Sequence, residues 1–210
     1  MLNHLTELLG EDLDHVALAL RAVTVVVRSN PARGGSLGPQ RSSAQGAGIV
    51  WSPDGTIVTN AHVAAGESAT ITLADGRVAE ARRVAHDARR DLALFHVDTA
   101  RLGGSPLPVP IIGDPSTLRP GDLVLGFGHP LGVEYALAMG VVHAAPDVRR
   151  TPYVVADIRL APGNSGGPLS DARGRIVGVN SMVVGGLGVA VSVDAVRSLV
   201  AAVRDRRRAA

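Results

Sequence analysis

Lysine is absent from the 210 residues, so all 21 basic side chains are arginine. That excludes a Walker-type phosphate loop, a Ser/Lys dyad and Schiff-base chemistry, each of which needs the lysine amine. Cysteine is absent as well, which removes thiol nucleophiles, disulfides and cysteine-held zinc or iron–sulfur sites while leaving the redox compartment open. Nucleophilic chemistry therefore falls to Ser, Thr or a carboxylate. Aromatic residues are only 2% of the chain, the net charge is +2, and the arginines gather only in Arg204, Arg206, Arg207 and Arg208. With neither stacking platforms nor a basic stripe, no nucleic-acid partner is expected. Long apolar runs are also lacking, because Glu7, Glu11, Asp12 and Asp14 interrupt Met1 to Arg21. No membrane partner or signal-peptide core is read there. A cytoplasmic location is expected for the chain as given, and an extracytoplasmic one if a leader precedes it.

What is present suffices for a packed core, since 46% of residues are hydrophobic. Leu2, Leu5, Leu8, Leu9, Leu13, Val16, Ala17 and Leu20 recur at three- and four-residue steps, which predicts one amphipathic helix or two broken near Gly10. The β-branched run from Val23 to Val27 reads as a strand, and Asn30 to Ala44, rich in Gly, Pro, Ser and Arg, as a surface loop. Short β-type runs follow at Ala47–Trp51, Thr56–Thr59, Ala69–Leu73, Arg77–Val84 and Asp91–Val97. A second series occupies Leu123–Gly128, Tyr135–His143, Tyr153–Ile158, Gly167–Ser170, Arg175–Asn180 and Val189–Val193. Many short strands with Gly-rich turns argue an antiparallel barrel or sandwich, here as two halves meeting near residues 100 to 120. Ser192 is placed to cap a closing helix whose apolar face is Val193, Val196, Leu199, Val200 and Val203.

The segment Ala161-Pro162-Gly163-Asn164-Ser165-Gly166-Gly167-Pro168-Leu169 holds a serine between glycines just before a β-run. Flanking glycines permit a tight turn that exposes the hydroxyl and aims backbone N–H groups at one point. A serine hydroxyl needs a base, and a histidine base needs a carboxylate to fix its tautomer. His62 follows the strand Thr56–Thr59 at a position suited to a barrel rim, and His129, in Gly128-His129-Pro130, is its rival. Asp91 opens the run Asp91-Leu92-Ala93-Leu94, with Asp87 as the alternative inside a charged cluster of His86, Arg89 and Arg90.

Thr59-Asn60-Ala61-His62-Val63, Asp91-Leu92-Ala93-Leu94 and Gly163-Asn164-Ser165-Gly166-Gly167-Pro168-Leu169, in that order, resemble the HtrA/Deg branch of the trypsin-like (chymotrypsin-fold) serine proteases. The similarity covers nearly the whole chain and extends to Gly126-Phe127-Gly128-His129-Pro130-Leu131-Gly132, where the family usually has Asn before the Pro. It implies an all-β fold of two six-stranded antiparallel β-barrels with N- and C-terminal helices. On that reading residues 1–210 form one peptidase domain: helix 1–22, lobes 23–108 and 109–192, then helix and basic tail 193–210.

The resemblance also implies an ATP-independent serine endopeptidase without cofactor or metal. Ser165 would attack the peptide carbonyl, His62 would take and return the proton, and Asp91 would orient His62. The N–H groups of Gly163 and Ser165, with Asn164 between them, would form the oxyanion hole. Asn180, Ser181 and Met182 resemble the strand that pairs with substrate, so extended or unfolded polypeptides are the expected partners. Arg159, six before the nucleophile, resembles the base of the S1 pocket. Either it points inward and favours an acidic P1 residue, or it turns away and pairs with a carboxylate such as Asp157. A compact stand-alone peptidase domain without PDZ modules is expected, as a monomer or a homo-oligomer such as a trimer. A chaperone or adaptor of low or conditional activity, and an esterase using the same groups, are the alternatives.

Overall fold

The computed structural model describes residues 2–29, 45–130, 133–145 and 152–209. The loop expected over Asn30–Ala44, and Leu131 and Gly132 of the His129 motif, lie outside these residues, as do the side chains of Leu2, Leu5, Leu8 and Leu9. The first half of the chain closes a barrel from β1 (Thr24–Ser29), β2 (Gln45–Ser52), β3 (Thr56–Thr59), β4 (Ser68–Thr72), β5 (Val78–Asp87) and β6 (Leu92–Val97), ordered β1-β2-β3-β6-β5-β4. The second half closes another from β7 (Leu123–Gly128), β8 (Ala136–Ala144), β9 (Tyr153–Ile158), β10 (Pro168–Asp171), β11 (Ile176–Val184) and β12 (Leu187–Ser192), ordered β10-β11-β12-β9-β8-β7. Closure removes the free edges that short strands would otherwise expose, and it pairs every strand on both sides. Two barrels, each of six antiparallel strands, are the fold that the resemblance implied.

Period-two burial drives each barrel. In β4, Ala69 and Ile71 point inward between half-buried polar neighbours, where they meet Val25, Val27, Ile57 and Phe95. Val124, Val154, Ile158 and Leu169 fill the second barrel. A third cluster lies between the lobes and belongs to neither. Val58, Leu92 and Leu94 of the first barrel meet Leu125, Phe127, Val179 and Val191 of the second there, closed over by Leu20 and Val23 of α1 (Leu2–Val23) and Val196 and Leu199 of α2 (Val193–Ala209).

Helix α1 is continuous through Gly10, the first of the two alternatives its periodicity allowed. Gly10 is exposed, so its cost is the usual ~1 kcal/mol relative to alanine, and neighbouring turns carry the helix across it. At α2 the Ser192 hydroxyl accepts the Asp194 N–H at 3.3 Å, the capping role its position suggested. No described helix is long and apolar enough to cross a membrane.

One main-chain contact crosses the seam beside the serine turn: the Ala47 N–H of β2 donates to the Ser165 carbonyl at 2.8 Å. The lobes are therefore joined by backbone at the cleft and by side chains behind it. Leu20, 1% exposed, tests the second of these links. Leu20→Ala should cost about 2–5 kcal/mol in urea unfolding, with both lobes melting in one transition. Two separated transitions would show that the helix does not couple them.

Candidate active site

His62 follows the end of β3 and Asp91 precedes β6, two strands paired through Thr59 and Ala93. This pairing brings residues 29 apart in sequence to one rim of the first barrel. The His62 Nδ1 lies 2.8 Å from Asp91 Oδ2 and 3.0 Å from Oδ1, and the His62 N–H donates to Oδ1 at 3.0 Å. From the other lobe the Ser181 hydroxyl donates to Oδ2 at 2.6 Å. An ionised carboxylate that accepts from Nδ1 fixes the proton there and leaves Nε2 as the free base.

Asp91 sits at φ +54°, a left-handed conformation rare outside glycine. Such a backbone costs on the order of 1–3 kcal/mol and persists only where the surroundings hold it. The fully buried Asn60 supplies that restraint, its Nδ2 donating to the Asp91 carbonyl at 2.9 Å. Asn60 stands in the motif that carries His62, but its contact with Asp91 spans 31 residues and has no local signal. Burial pushes the Asp91 carboxyl up, yet the hydrogen bonds from the His62 ring, the Ser181 hydroxyl and the His62 N–H outweigh it and hold the group below its ordinary value.

Ser165 lies on the turn before β10, across the cleft. Two glycines shape this turn, Gly163 at φ +106° and Gly166 at φ +86°. A Cβ on Gly166 would stand 2.0 Å from the Ala47 carbonyl oxygen, so no other residue fits. The turn is pinned by Asn164 N–H to the Ala161 carbonyl at 3.0 Å, Gly167 N–H to the Asn164 carbonyl at 3.0 Å and Gly166 N–H to the Asn180 carbonyl at 2.8 Å. No backbone hydrogen bond among the described residues takes the N–H of Gly163 or Ser165, which leaves both available to an incoming oxyanion. The Ser165 hydroxyl donates to the Ser181 carbonyl at 3.1 Å.

His62 and Ser165 nonetheless line one pocket of about 390 Å³, whose apolar walls are Leu160, Ala161, Pro162, Met182 and Val183. Asn164, Asn180 and Ser181 also line it. Asn180 is buried, with Nδ2 donating to the Pro168 carbonyl at 2.9 Å. Arg159 is exposed and outside this lining, and it forms no ion pair with Asp157 among the described residues. It turns away from the pocket, as the second of the two readings had it, without the Asp157 ion pair. Period two explains this: Ile158 and Leu160 both approach Gly126 and Gly188 on the inner side, so Arg159 between them faces out. His129 is buried behind the serine turn and does not line the pocket, and Asp87 is tied to Arg89 and Arg90.

Double barrels with an imidazole–carboxylate pair on one rim and a serine turn on the other define the trypsin-like architecture. The chain belongs to the trypsin-like peptidase domain family, which it matches over residues 46–179, a span that holds His62, Asp91 and Ser165. It is similar to a probable periplasmic serine endoprotease DegP-like of Hahella chejuensis, 37% identical over 151 residues that cover 70% of this chain and 31% of the relative. It is also similar to the putative serine protease HhoB of Synechocystis sp., 34% identical over 172 residues covering 76% of this chain and 40% of that one. The chain thus spans well under half the length of these curated relatives.

The relatives from Hahella chejuensis and Pseudomonas putida are named as periplasmic, which overturns the expected cytoplasmic location. That expectation rested on charges interrupting residues 1–21, and such charges describe a helix without reporting where it resides.

The depressed Asp91 carboxyl carries a pH signature. Its folded pKa lies below the unfolded value near 3.8, so the ion contributes stability above that pH and loses it as pH falls through the lower folded value. Asp91→Asn should therefore flatten the loss of thermal stability below about pH 4. An identical acid limb in the variant would show that the clamp does not stabilise the fold.

Proposed function

We propose that this domain is a serine endopeptidase that cleaves extended or unfolded polypeptides. The observation that carries it is the Asp91 clamp on His62 Nδ1, 2.8 Å, in the same pocket as Ser165. Rotation about the Ser165 Cα–Cβ bond releases its hydroxyl from the Ser181 carbonyl and turns it toward His62 Nε2. Nε2 accepts the proton as Oγ bonds to the scissile carbonyl carbon, and the oxyanion takes the N–H groups of Gly163 and Ser165. The imidazolium then returns the proton to the leaving amine, an acyl-enzyme forms, and water repeats the sequence in reverse roles. Each oxyanion donor is worth roughly 10²–10³ in rate.

Substrate is proposed to lie along β11. From Ser181 onward this strand pairs only with β12 among the described strands, which leaves its other edge open beside the pocket. Adding a strand there uses backbone bonds for affinity and leaves side-chain choice to the pocket. Leu160, Met182 and Val183 favour an aliphatic P1 side chain. We place the whole of residues 1–210 in this unit, without a cofactor, and propose an extracytoplasmic setting from the names of the relatives.

An active-site fluorophosphonate tests the reading. Stoichiometric labelling mapped to Ser165 and lost in Ser165→Ala is the expected result. A folded protein that stays unlabelled would favour the second reading, an adaptor of conditional activity, to which the Ser165–Ser181 bond already gives some weight. Arg159→Ala should leave cleavage of aliphatic-P1 peptides within about twofold of the parent, as exposed substitutions away from a site usually do. A large loss confined to Glu-P1 peptides would put the guanidinium back in the pocket.

A further inference from the structure

His129 takes no part in the chemistry above, yet it is 1% exposed and its ring meets the Val25 backbone of the first lobe. Its backbone N–H donates to the Gly163 carbonyl at 3.1 Å. Its ring Nδ1 accepts the Tyr135 N–H at 3.2 Å, which places the hydrogen of the neutral imidazole on Nε2. Tyr135 is at φ +60°, a conformation an L residue keeps only when its neighbours hold it. Its ring packs edge-on against the imidazole with centroids 4.8 Å apart, and the Arg21 guanidinium of α1 lies 4.6 Å over it. The Tyr135 hydroxyl donates to the Leu73 carbonyl of the first lobe at 3.3 Å. Nε2 is buried without a hydrogen-bond partner among the described residues, and the Val25 backbone of the first lobe faces the ring. The turn has no slack against this wedge, because a Cβ on Gly163 would stand 2.1 Å from the His129 carbonyl oxygen.

We propose that His129 is a positioning residue for the oxyanion turn. Its uncharged ring holds Tyr135 at the lobe seam, and its own N–H keeps the Gly163 carbonyl committed, so the N–H groups of Gly163 and Ser165 stay free for the oxyanion. This rests on the peptidase reading of the same site.

A charge on the ring undoes the arrangement. A protonated Nδ1 would set a second N–H against the Tyr135 N–H. Around it, Arg28 opposes the charge, Arg21 stands beyond the Tyr135 ring, and the Val25 backbone and Glu134 favour it without outweighing burial. Burial holds the His129 pKa below its ordinary 6.5. The unfolded chain therefore takes the proton first, and the wedge loses stability as pH falls below 6.5 toward the folded value.

His129→Phe keeps a ring without an acceptor, and His129→Asn keeps a shorter acceptor. In the full chain, His129→Phe should lower kcat about 10- to 100-fold with KM nearly unchanged, and Asn should recover part of the loss. The acid limb of kcat/KM should fall with two protonations in the parent and one in both variants. A single protonation in the parent that neither variant moves would overturn the proposal, as would a loss confined to KM and thermal stability. Histidine ¹⁵N NMR decides the wedge without activity. The Nε2–H tautomer persisting at pH 7 with a midpoint below 6.5 is expected, and an Nδ1–H tautomer or a midpoint at or above 6.5 overturns it. A parent protein without any turnover would instead count against the peptidase reading, and the NMR result would still stand on its own.

Discussion

Across the seam the backbone of the serine turn lies directly on the backbone of the first barrel, through the Ala47 N–H and the Ser165 carbonyl. Gly166 makes that approach possible and any side chain there forbids it. Because the contact is main chain to main chain, the distance between His62 on one rim and Ser165 on the other is set by covalent geometry and depends little on side-chain packing. The cluster behind the cleft, with Leu20 and Val196 closing it, then fixes the angle between the barrels. Position comes from one contact and orientation from the other.

The electrostatics follow the same division between lobes. Asp91 belongs to the first barrel, but Ser181 of the second contributes one of its hydrogen bonds. The carboxylate therefore finds its full set of donors only when the lobes are docked. The left-handed backbone at Asp91 adds a local cost that Asn60 helps to hold. An ion whose solvation depends on both lobes reports on their assembly as much as on the orientation of the imidazole.

Much of this was legible in the residues. The strand runs were visible as β-branched segments between glycine turns, and the order His62, Asp91, Ser165 with its motifs pointed to the double barrel. The misses have physical reasons. The hairpin continues to Val184 and turns at Gly185 and Gly186, a two-glycine turn signal that was present at the end of the run set at Asn180. Arg159 was judged by its offset from Ser165, whereas the alternation of Ile158 and Leu160 already set its face. The bond from Ser181 to Asp91 spans 90 residues and exists only after the barrels dock, so no local pattern carries it. The wedge at His129 depends on Tyr135 and Arg21, which only the seam brings together.

The turn that carries Ser165 is bound through its carbonyl and its neighbours, while the hydroxyl is held by a single acceptor, the Ser181 carbonyl. In the proposed mechanism the resting and armed forms of Ser165 then differ by one bond torsion. Rotamer exchange of that kind takes picoseconds to nanoseconds, far faster than the microsecond-to-millisecond rearrangement of a loop. In that mechanism a substrate strand on the Ser181 edge competes for the same neighbourhood, so arrival of the substrate and release of the serine become one fast event that adds no slow step of its own to turnover.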